Sequence, residues 1–468
     1  KNSSYLDPVK IFTPSITHLK IIKMMTKQMH YRAYTLHNYK DIPQIKNLSP
    51  QDIEAIEVVG RILPFRANNY VVEQLIDWNN IPEDPIFTLT FPRKEMLSEE
   101  HYNQVLQLLD QDPQDPKYKE IIDNIRRSLN PNPAGQMDNI PTLEGEQLDG
   151  MQHKYRETVL FFPSQGQTCH AYCTFCFRWP QFSGMSDLKF AMKEADLLHQ
   201  YLLEHKEVTD VLFTGGDPLT ATSRILSTYI EPLLTKEFNH IRNIRIGSKA
   251  LSYWPYRFLT DKDADSLIEL FAKVRKAGKN LAFQAHFNHP TELSTDVVKE
   301  AIDRIKNTGA QIRTQSPLLD KINNSPEVWA EMWQKQVDLG CIPYYMFIAR
   351  DTGSKAFFEV PLDKAWELFR KAYANVSGIC RTVRGPSMSA YPGKVIITGV
   401  SKINDEKVYA LKFLQCRNPK LVGIPFFAKY NPNATWLDQL EPAFGDKEFF
   451  YEKDNLLGEN SDNSDLWK

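Results

Sequence analysis

Between residues 156 and 377 the chain alternates six times between a short apolar run and an amphipathic stretch, and few folds accept that pattern. The runs are Val159–Phe162, Val211–Thr214, Ile244–Gly247, Leu281–Ala285, Gln311–Thr314 and Tyr344–Ile348. Helical spacing of apolar residues occupies about 188–204, 222–236, 262–277, 294–308, 326–339 and 363–375. Strand then helix, six times running, predicts right-handed crossovers on a parallel sheet, either open and doubly wound or closing toward a barrel. Residues 1–155 read differently, as mostly helical with polar connections. Ser49-Pro50-Gln51-Asp52 starts one helix, with Ile53, Ile56, Val59 and Ile62 at helical spacing. The stretch 109–150, rich in Asp, Pro, Asn and Gln, reads as surface wrapping or linker. After Ser377 come shorter strand-like runs, Lys394–Ile397 and Val408–Leu414, and an acidic tail, Gly458–Asp465. Residues 378–468 are expected to form a small α+β appendage.

Composition narrows the function. Apolar residues at 42% and charged residues at 24% can bury a core, which excludes disorder as the main state. Fifty-six basic against 58 acidic residues leave a net charge of −2, which argues against a nucleic-acid surface. No apolar run reaches the roughly 18 residues of a membrane span, and Lys1-Asn2-Ser3-Ser4-Tyr5-Leu6-Asp7 shows no signal-like core. Six cysteines are too few for a disulfide scaffold, so a reducing, cytoplasmic setting is expected.

In parallel α/β folds chemistry collects beyond the carboxyl ends of strands. Here the six runs lead into Cys169, Cys173 and Cys176; Gly215-Gly216-Asp217; Ser248-Lys249; His286 and Asn288; Gln315; and Arg350-Asp351. Three cysteines within eight residues are metal ligands in a reduced compartment, either for an iron–sulfur cluster or for a structural zinc with His170 or a distant residue as fourth ligand. Cys341, Cys380 and Cys416 stand singly and read as buried apolar residues.

The spacing Cys169-x-x-x-Cys173-x-x-Cys176 after the first strand resembles the radical S-adenosylmethionine (SAM) superfamily. The resemblance implies a 4Fe–4S cluster on the three thiolates, with one iron left open for SAM. It also implies adenine contact from Phe175 and recognition of the SAM amino group by Gly215, Gly216 and Asp217. The segments Asp84-Pro85-Ile86-Phe87, His153-Lys154-Tyr155, Val211–Asp217, Ile244–Ser248, His286-Phe287-Asn288-His289-Pro290, Gln315–Leu319 and Pro343-Tyr344-Tyr345 look like lysine 2,3-aminomutase and its relatives. That family implies a partial (β/α)6 TIM-like barrel, a 5′-deoxyadenosyl radical, and 2,3-migration of an amino group on a substrate held by pyridoxal phosphate (PLP). It further implies an electron donor such as flavodoxin or ferredoxin, and a homo-oligomer. Carried over residue by residue, Ser248, Lys249, His286 and Gln315 are SAM contacts and Arg178 pairs with the substrate carboxylate. Lys154 and Tyr155 bind the PLP phosphate, and Lys394 bonds PLP covalently.

The departures bear on the substrate. The family's His-Arg-Tyr-Pro-Asp-Arg stretch reads His153-Lys154-Tyr155-Arg156-Glu157-Thr158, with Arg156 as a stand-in for the lost arginine. The glycine-rich lysine loop is reduced to Tyr391-Pro392-Gly393-Lys394. Arg350 (or, after a one-residue slip, Asp351) and Ser387 stand at the places of two aspartates that hold the ammonium of lysine, and Ser325 stands where a zinc-ligand cysteine is expected. The expectation is therefore an aminomutase for an amino acid other than lysine, with an acidic or neutral side chain. The alternatives are a PLP-independent radical SAM enzyme (epimerase, dehydrogenase or other hydrogen abstraction) and, more remotely, a zinc-stabilised binding protein.

Overall fold

All six apolar runs are strands of one 11-stranded sheet whose order follows the chain. The computed structural model describes residues 29–131, 139–185 and 189–452, and the described residues from Tyr31 onward form one compact unit. The sequence readings at Lys1–Asp7 and Gly458–Asp465 lie outside the described residues. The sheet comprises β1 (Met151–Tyr155), β2 (Thr158–Phe161), β3 (Asp210–Phe213), β4 (Asn243–Ser248), β5 (Asn280–His286) and β6 (Gln311–Leu318). It continues through β7 (Ile342–Ile348), β8 (Arg384–Ser389), β9 (Gly393–Ile403), β10 (Glu406–Cys416) and β11 (Pro425–Lys429). Strands β2 to β8 are parallel neighbours, while β1 and β9 to β11 attach antiparallel. The class is α/β with a mainly parallel sheet.

Helices α1 (Pro50–Ile62), α2 (Pro85–Thr90), α3 (Glu99–Leu106) and α4 (Pro116–Ser128) precede the sheet. Ser49 caps α1 by accepting from the Asp52 amide at 3.1 Å, as its place before Pro50 suggested. Helix α4 occupies part of the stretch expected to be linker. Asp115 caps it, Pro116 takes the first turn where no N–H is needed, and Tyr118, Ile122 and Ile125 are its buried stripe. The crossover helices are α5 (Ala195–Glu204), α6 (Ser223–Ile230), α7 (Ala264–Lys276), α8 (Asp296–Lys306), α9 (Pro326–Asp338) and α10 (Leu362–Ala374). Helix α6 stops six residues short of expectation because Pro232 has no N–H to continue the ladder and opens a separate short turn, Pro232–Leu234.

Alternation along the strands divides the sheet into two faces. On β4, Ile244 and Ile246 are fully buried in the main core with Val211, Phe213, Leu281 and Phe283, and the crossover helices cover them. Their neighbours Arg245 and Gly247 line a cavity on the opposite face, as do Asp210 and Leu212 on β3 and Gln284 on β5. Period two thus sends apolar residues to the helices and polar ones to the cavity. The C-terminal strands extend this same sheet, because β8 pairs parallel with β7 before β9–β11 turn back. Among the described residues no helix is long and apolar enough to cross a membrane.

Helices α9 and α10 meet through aromatic rings. Trp333 is 1% exposed, and its ring lies 5.7 Å from Trp329, 5.8 Å from Phe369 and 6.4 Å from Tyr373. Trp333→Ala is expected to cost about 3–5 kcal/mol in urea unfolding, the range for deleting a buried aromatic residue. A loss below about 1 kcal/mol, the ordinary effect of a point mutation, would contradict this packing role.

Candidate functional site

The three cysteines, Phe175, Gly215, Gly216, Asp217, Ser248, Lys249, His286, Gln315 and the basic candidates Lys154, Arg178, Arg350 and Lys394, with Tyr155, line one cavity of about 380 Å³, enough for a small-molecule ligand; Ser387, Arg156, Asn288 and Asp351 do not. The cavity opens at the carboxyl ends of the parallel strands and reaches down to an ion pair between Arg245 and Asp210, at 2.6 Å.

The three cysteines follow β2 in a loop that belongs to no regular element. All three are free and half-buried, and Cys173 Sγ lies 3.3 Å from the Tyr253 hydroxyl. Burial pushes each thiol up, Cys176 to about 12, so as bare thiols they would stay protonated. Among the described residues the set of three ligand groups gathered within 4.8 Å is His153, His205 and Glu207, not the cysteines. A tetrahedral zinc with bonds of about 2.3 Å would need its sulfurs about 3.8 Å apart. At least one pair of the cysteine sulfurs therefore lies more than 4.8 Å apart, wider than a single zinc would hold its ligands.

The Gly215-Gly216-Asp217 turn presses against the start of that loop. A Cβ on Gly216 would come within 2.5 Å of the Thr168 carbonyl oxygen and 2.7 Å of its nitrogen, and the Asp217 amide donates to Thr168 O at 2.7 Å. Close backbone approach is what requires glycine here. The buried Asp217 carboxylate accepts from Ser248 Oγ and the Lys249 amide, both at 2.9 Å, and from the Leu219 amide at 3.0 Å. Burial outweighs those bonds and raises its pKa to about 6. Asp217 thereby ties the end of β3 to the end of β4.

Lys249 is not a solvated surface lysine. Its Nζ donates to Glu292 Oε1 at 2.5 Å, Asn288 Oδ1 at 2.8 Å and the His286 carbonyl at 3.3 Å. Glu292 is fully buried and also accepts from the Asn288 and His289 amides. It was not singled out from the sequence, although its position three residues after His289 follows a capping-box pattern. Burial drives His286 down to about 3, so its imidazole is neutral. Its ring centroid lies 6.1 Å from that of Phe175. Gln315 pairs with His286 across β5 and β6.

Deeper in, cations dominate. The Arg178 guanidinium lies 4.4 Å over Phe162 and 5.0 Å over Phe177, and its Nη1 has no hydrogen-bond partner. Burial lowers the Arg178 pKa to about 10. Arg350 donates to Ser389 O at 2.7 Å, and its Nε is 4.0 Å from the Asp351 carboxylate. Lys154 is pushed down to about 7 by burial, then by the charges of Arg350, Lys394, Arg178 and Arg417. Lys394 is no exposed turn residue. Its amine donates to Gln415 Oε1 at 3.1 Å and sits 4.1 Å over Tyr345, and burial brings it to about 7, helped by Arg245 and Arg384. Gly393 before it packs on the Gln415 backbone, where a Cβ would meet the carbonyl oxygen at 2.3 Å. Gln415 was missed because its pairing with β9 is not local.

Two expected placements differ. Ser387 is fully buried away from the cavity and donates to Met346 O, so Ser389 takes the rim position beside Arg350. Arg156 lies exposed in the β1–β2 turn, while Thr158 lines the cavity.

Comparison with known proteins gives the family. A protein of Aquifex aeolicus named "Putative L-lysine 2,3-aminomutase" is 30% identical over 398 residues, covering 85% of this chain and 93% of its own length. This chain belongs to the lysine 2,3-aminomutase-like family of radical SAM enzymes. The L-lysine 2,3-aminomutase of Bacillus subtilis is 24% identical over 74% of this chain and 63% of its own. No family model matches the chain. A radical SAM methyltransferase structure from Sphaerobacter thermophilus aligns weakly, with TM-score 0.35 and 15% identity over 48% of this chain and 65% of its own. Membership in the family implies an aminomutase-type enzyme with a 4Fe–4S cluster, SAM and a small-molecule substrate.

The cation cluster gives a pH test. Between pH 7 and the ordinary lysine value of about 10.4, unfolded chains bind a proton at Lys154 that folded chains lack, so stability from this group rises with pH. Below pH 7 the full cost of burying the charge is present. Ligand-free Lys154→Met protein should therefore be the more stable near pH 7, with the gap to wild type narrowing toward pH 10 in chemical unfolding. A gap that stays constant with pH would contradict the buried-charge account.

Proposed function

We propose that the chain is a radical SAM 2,3-aminomutase for an amino acid other than lysine, with an acidic side chain favoured and a neutral hydrogen-bonding one next. One observation carries the reading. The cavity that holds the three cysteines also holds Arg178, Arg350, Lys154 and Lys394. Lys249 and Arg245 in the same wall already have carboxylate partners, whereas the Arg178 Nη1 is buried without a hydrogen-bond partner. Buried charge of one sign calls for a ligand of the other. A lysine substrate would add a further ammonium to this wall.

In this reading the parallel strands form a partial (β/α)6 barrel over residues 156–377, preceded in the chain by region 1–155 and followed by region 378–468, whose Lys394 reaches the cavity. Cys169, Cys173 and Cys176 hold the 4Fe–4S cluster. Phe175, Gly215, Gly216, Asp217, Ser248, His286 and Gln315 form the SAM side, with Lys249 anchoring the His286 carbonyl. The aromatic-flanked amine of Lys394, which has no carboxylate partner among the described ion pairs, fits a covalent PLP site, and Lys154 with Tyr155 fits its phosphate, which carries about −1.5 to −2 charge. When bound, cluster and SAM supply a one-electron, hydrogen-abstracting reagent, and PLP supplies a ring that delocalises the electron.

The protein's own part is positioning and exclusion of water. Arg178 offers a fork to the substrate α-carboxylate, held between Phe162 and Phe177 so that few rotamers remain to be lost. Arg350 is fixed by Ser389 and reads the far end of the substrate. Lys394, brought down to about 7 in its ring-and-amide setting, presents a substantial fraction of nucleophilic free amine near neutral pH. A reducing compartment, an external electron donor and a homo-oligomer complete the proposal.

Anaerobic protein with SAM, dithionite and PLP should form 5′-deoxyadenosine and a 3-amino product from glutamate-like substrates faster than from lysine. Preference for lysine overturns the substrate reading. Borohydride reduction and peptide mapping should place a pyridoxyl group on Lys394. Its absence from PLP-saturated protein moves the assignment to a PLP-independent hydrogen-abstracting enzyme on the same scaffold.

A further inference from the structure

The cysteine loop is held from outside the sheet. Thr174 donates its amide to Leu89 O at 2.9 Å and its hydroxyl to Thr88 O at 2.7 Å, both on α2. Asn68, fully buried, bridges the His170 and Tyr253 carbonyls at 3.1 and 2.9 Å. Arg66 makes the tightest grip. Its Nη1 donates to Thr168 Oγ1 at 2.7 Å and Cys169 O at 3.2 Å, its carbonyl accepts from the Tyr172 amide at 2.8 Å, and its guanidinium lies 5.3 Å over the Tyr172 ring.

Those bonds use neutral acceptors, and the charge is left over. Arg66 is half-buried and takes part in none of the ion pairs among the described residues. It also does not line the cavity, so it meets no substrate. A partly desolvated guanidinium keeps much of its field, and the group beside it that turns anionic on binding a metal centre is Cys169, whose own carbonyl Arg66 holds.

We propose that Arg66 is a positioning residue that fixes the cysteine loop and, through its charge, raises the midpoint potential of the cluster bound there. The inference rests on the cluster assignment above. A cluster on three thiolates becomes more negative by one charge when it takes an electron from an external reductant. A fixed cation at Cys169 O stabilises that reduced state more than the oxidised one.

The test is an EPR-monitored redox titration without SAM, with iron content measured alongside, on wild type, Arg66→Gln and Arg66→Lys. Arg66→Gln should keep its cluster and shift to a more negative potential, while Arg66→Lys, which keeps the charge, should stay at the wild-type value. Should Arg66→Gln lose iron while Arg66→Lys retains it, the charge is needed even to assemble the site, which supports the same role. Equal shifts or equal iron loss in both variants would show that geometry alone matters, and unchanged potentials in both would show no role; either result overturns the inference. A wild-type protein without a four-iron cluster would instead refute the cluster assignment itself.

Discussion

Seven parallel strands in sequential order can satisfy their backbone only by lying side by side, and once they do, every second side chain must face away from the helices. That constraint builds the cavity. Residues such as Val211, Ile244 and Phe283 are drawn to the helical side by burial, so Asp210, Arg245 and Gln284 are placed on the other. No loop needs to carve the site. The strands deliver it, and the loops beyond their carboxyl ends add the cysteines, the glycine turn and the basic groups.

Two of those loops depend on each other. The glycine turn touches the backbone at residue 168, and Asp217 at its end gathers Ser248 and Lys249 from the next strand. Lys249 in turn is held by Glu292 and Asn288 beyond β5. The rim is thus a chain of polar contacts passing from strand to strand, each buried group satisfied by the next. Beside this rim, Lys154 shares the cavity with Arg178, Arg350 and Lys394, so cations outnumber acids on that wall.

How much of this was legible depended on distance along the chain. The six strands and their helices could be read because periodicity is local, and the cysteine and glycine motifs because their spacing is. Helix α4 was hidden because Asp115-Pro116 reads as a turn unless the buried stripe of Tyr118, Ile122 and Ile125 is followed through. Strand β8, with Gly, Pro and two serines, carries no apolar run, so the union of the C-terminal strands with the main sheet could not be foreseen. Gln415, Glu292 and Arg66 act across 21, 43 and 102 residues of chain, and only Glu292 carried a local signal, its capping-box place after His289. The placement of Ser387 failed for a related reason, since an aligned position does not say which face of a strand it occupies.

The account stands or falls on what the three cysteines bind, and Mössbauer spectroscopy of the iron-reconstituted anaerobic protein measures that most directly. One 4Fe–4S cluster per chain, with one iron changing its spectrum when SAM is added, is the predicted result. A site filled by a single zinc, or a cluster whose four irons all ignore SAM, would contradict it.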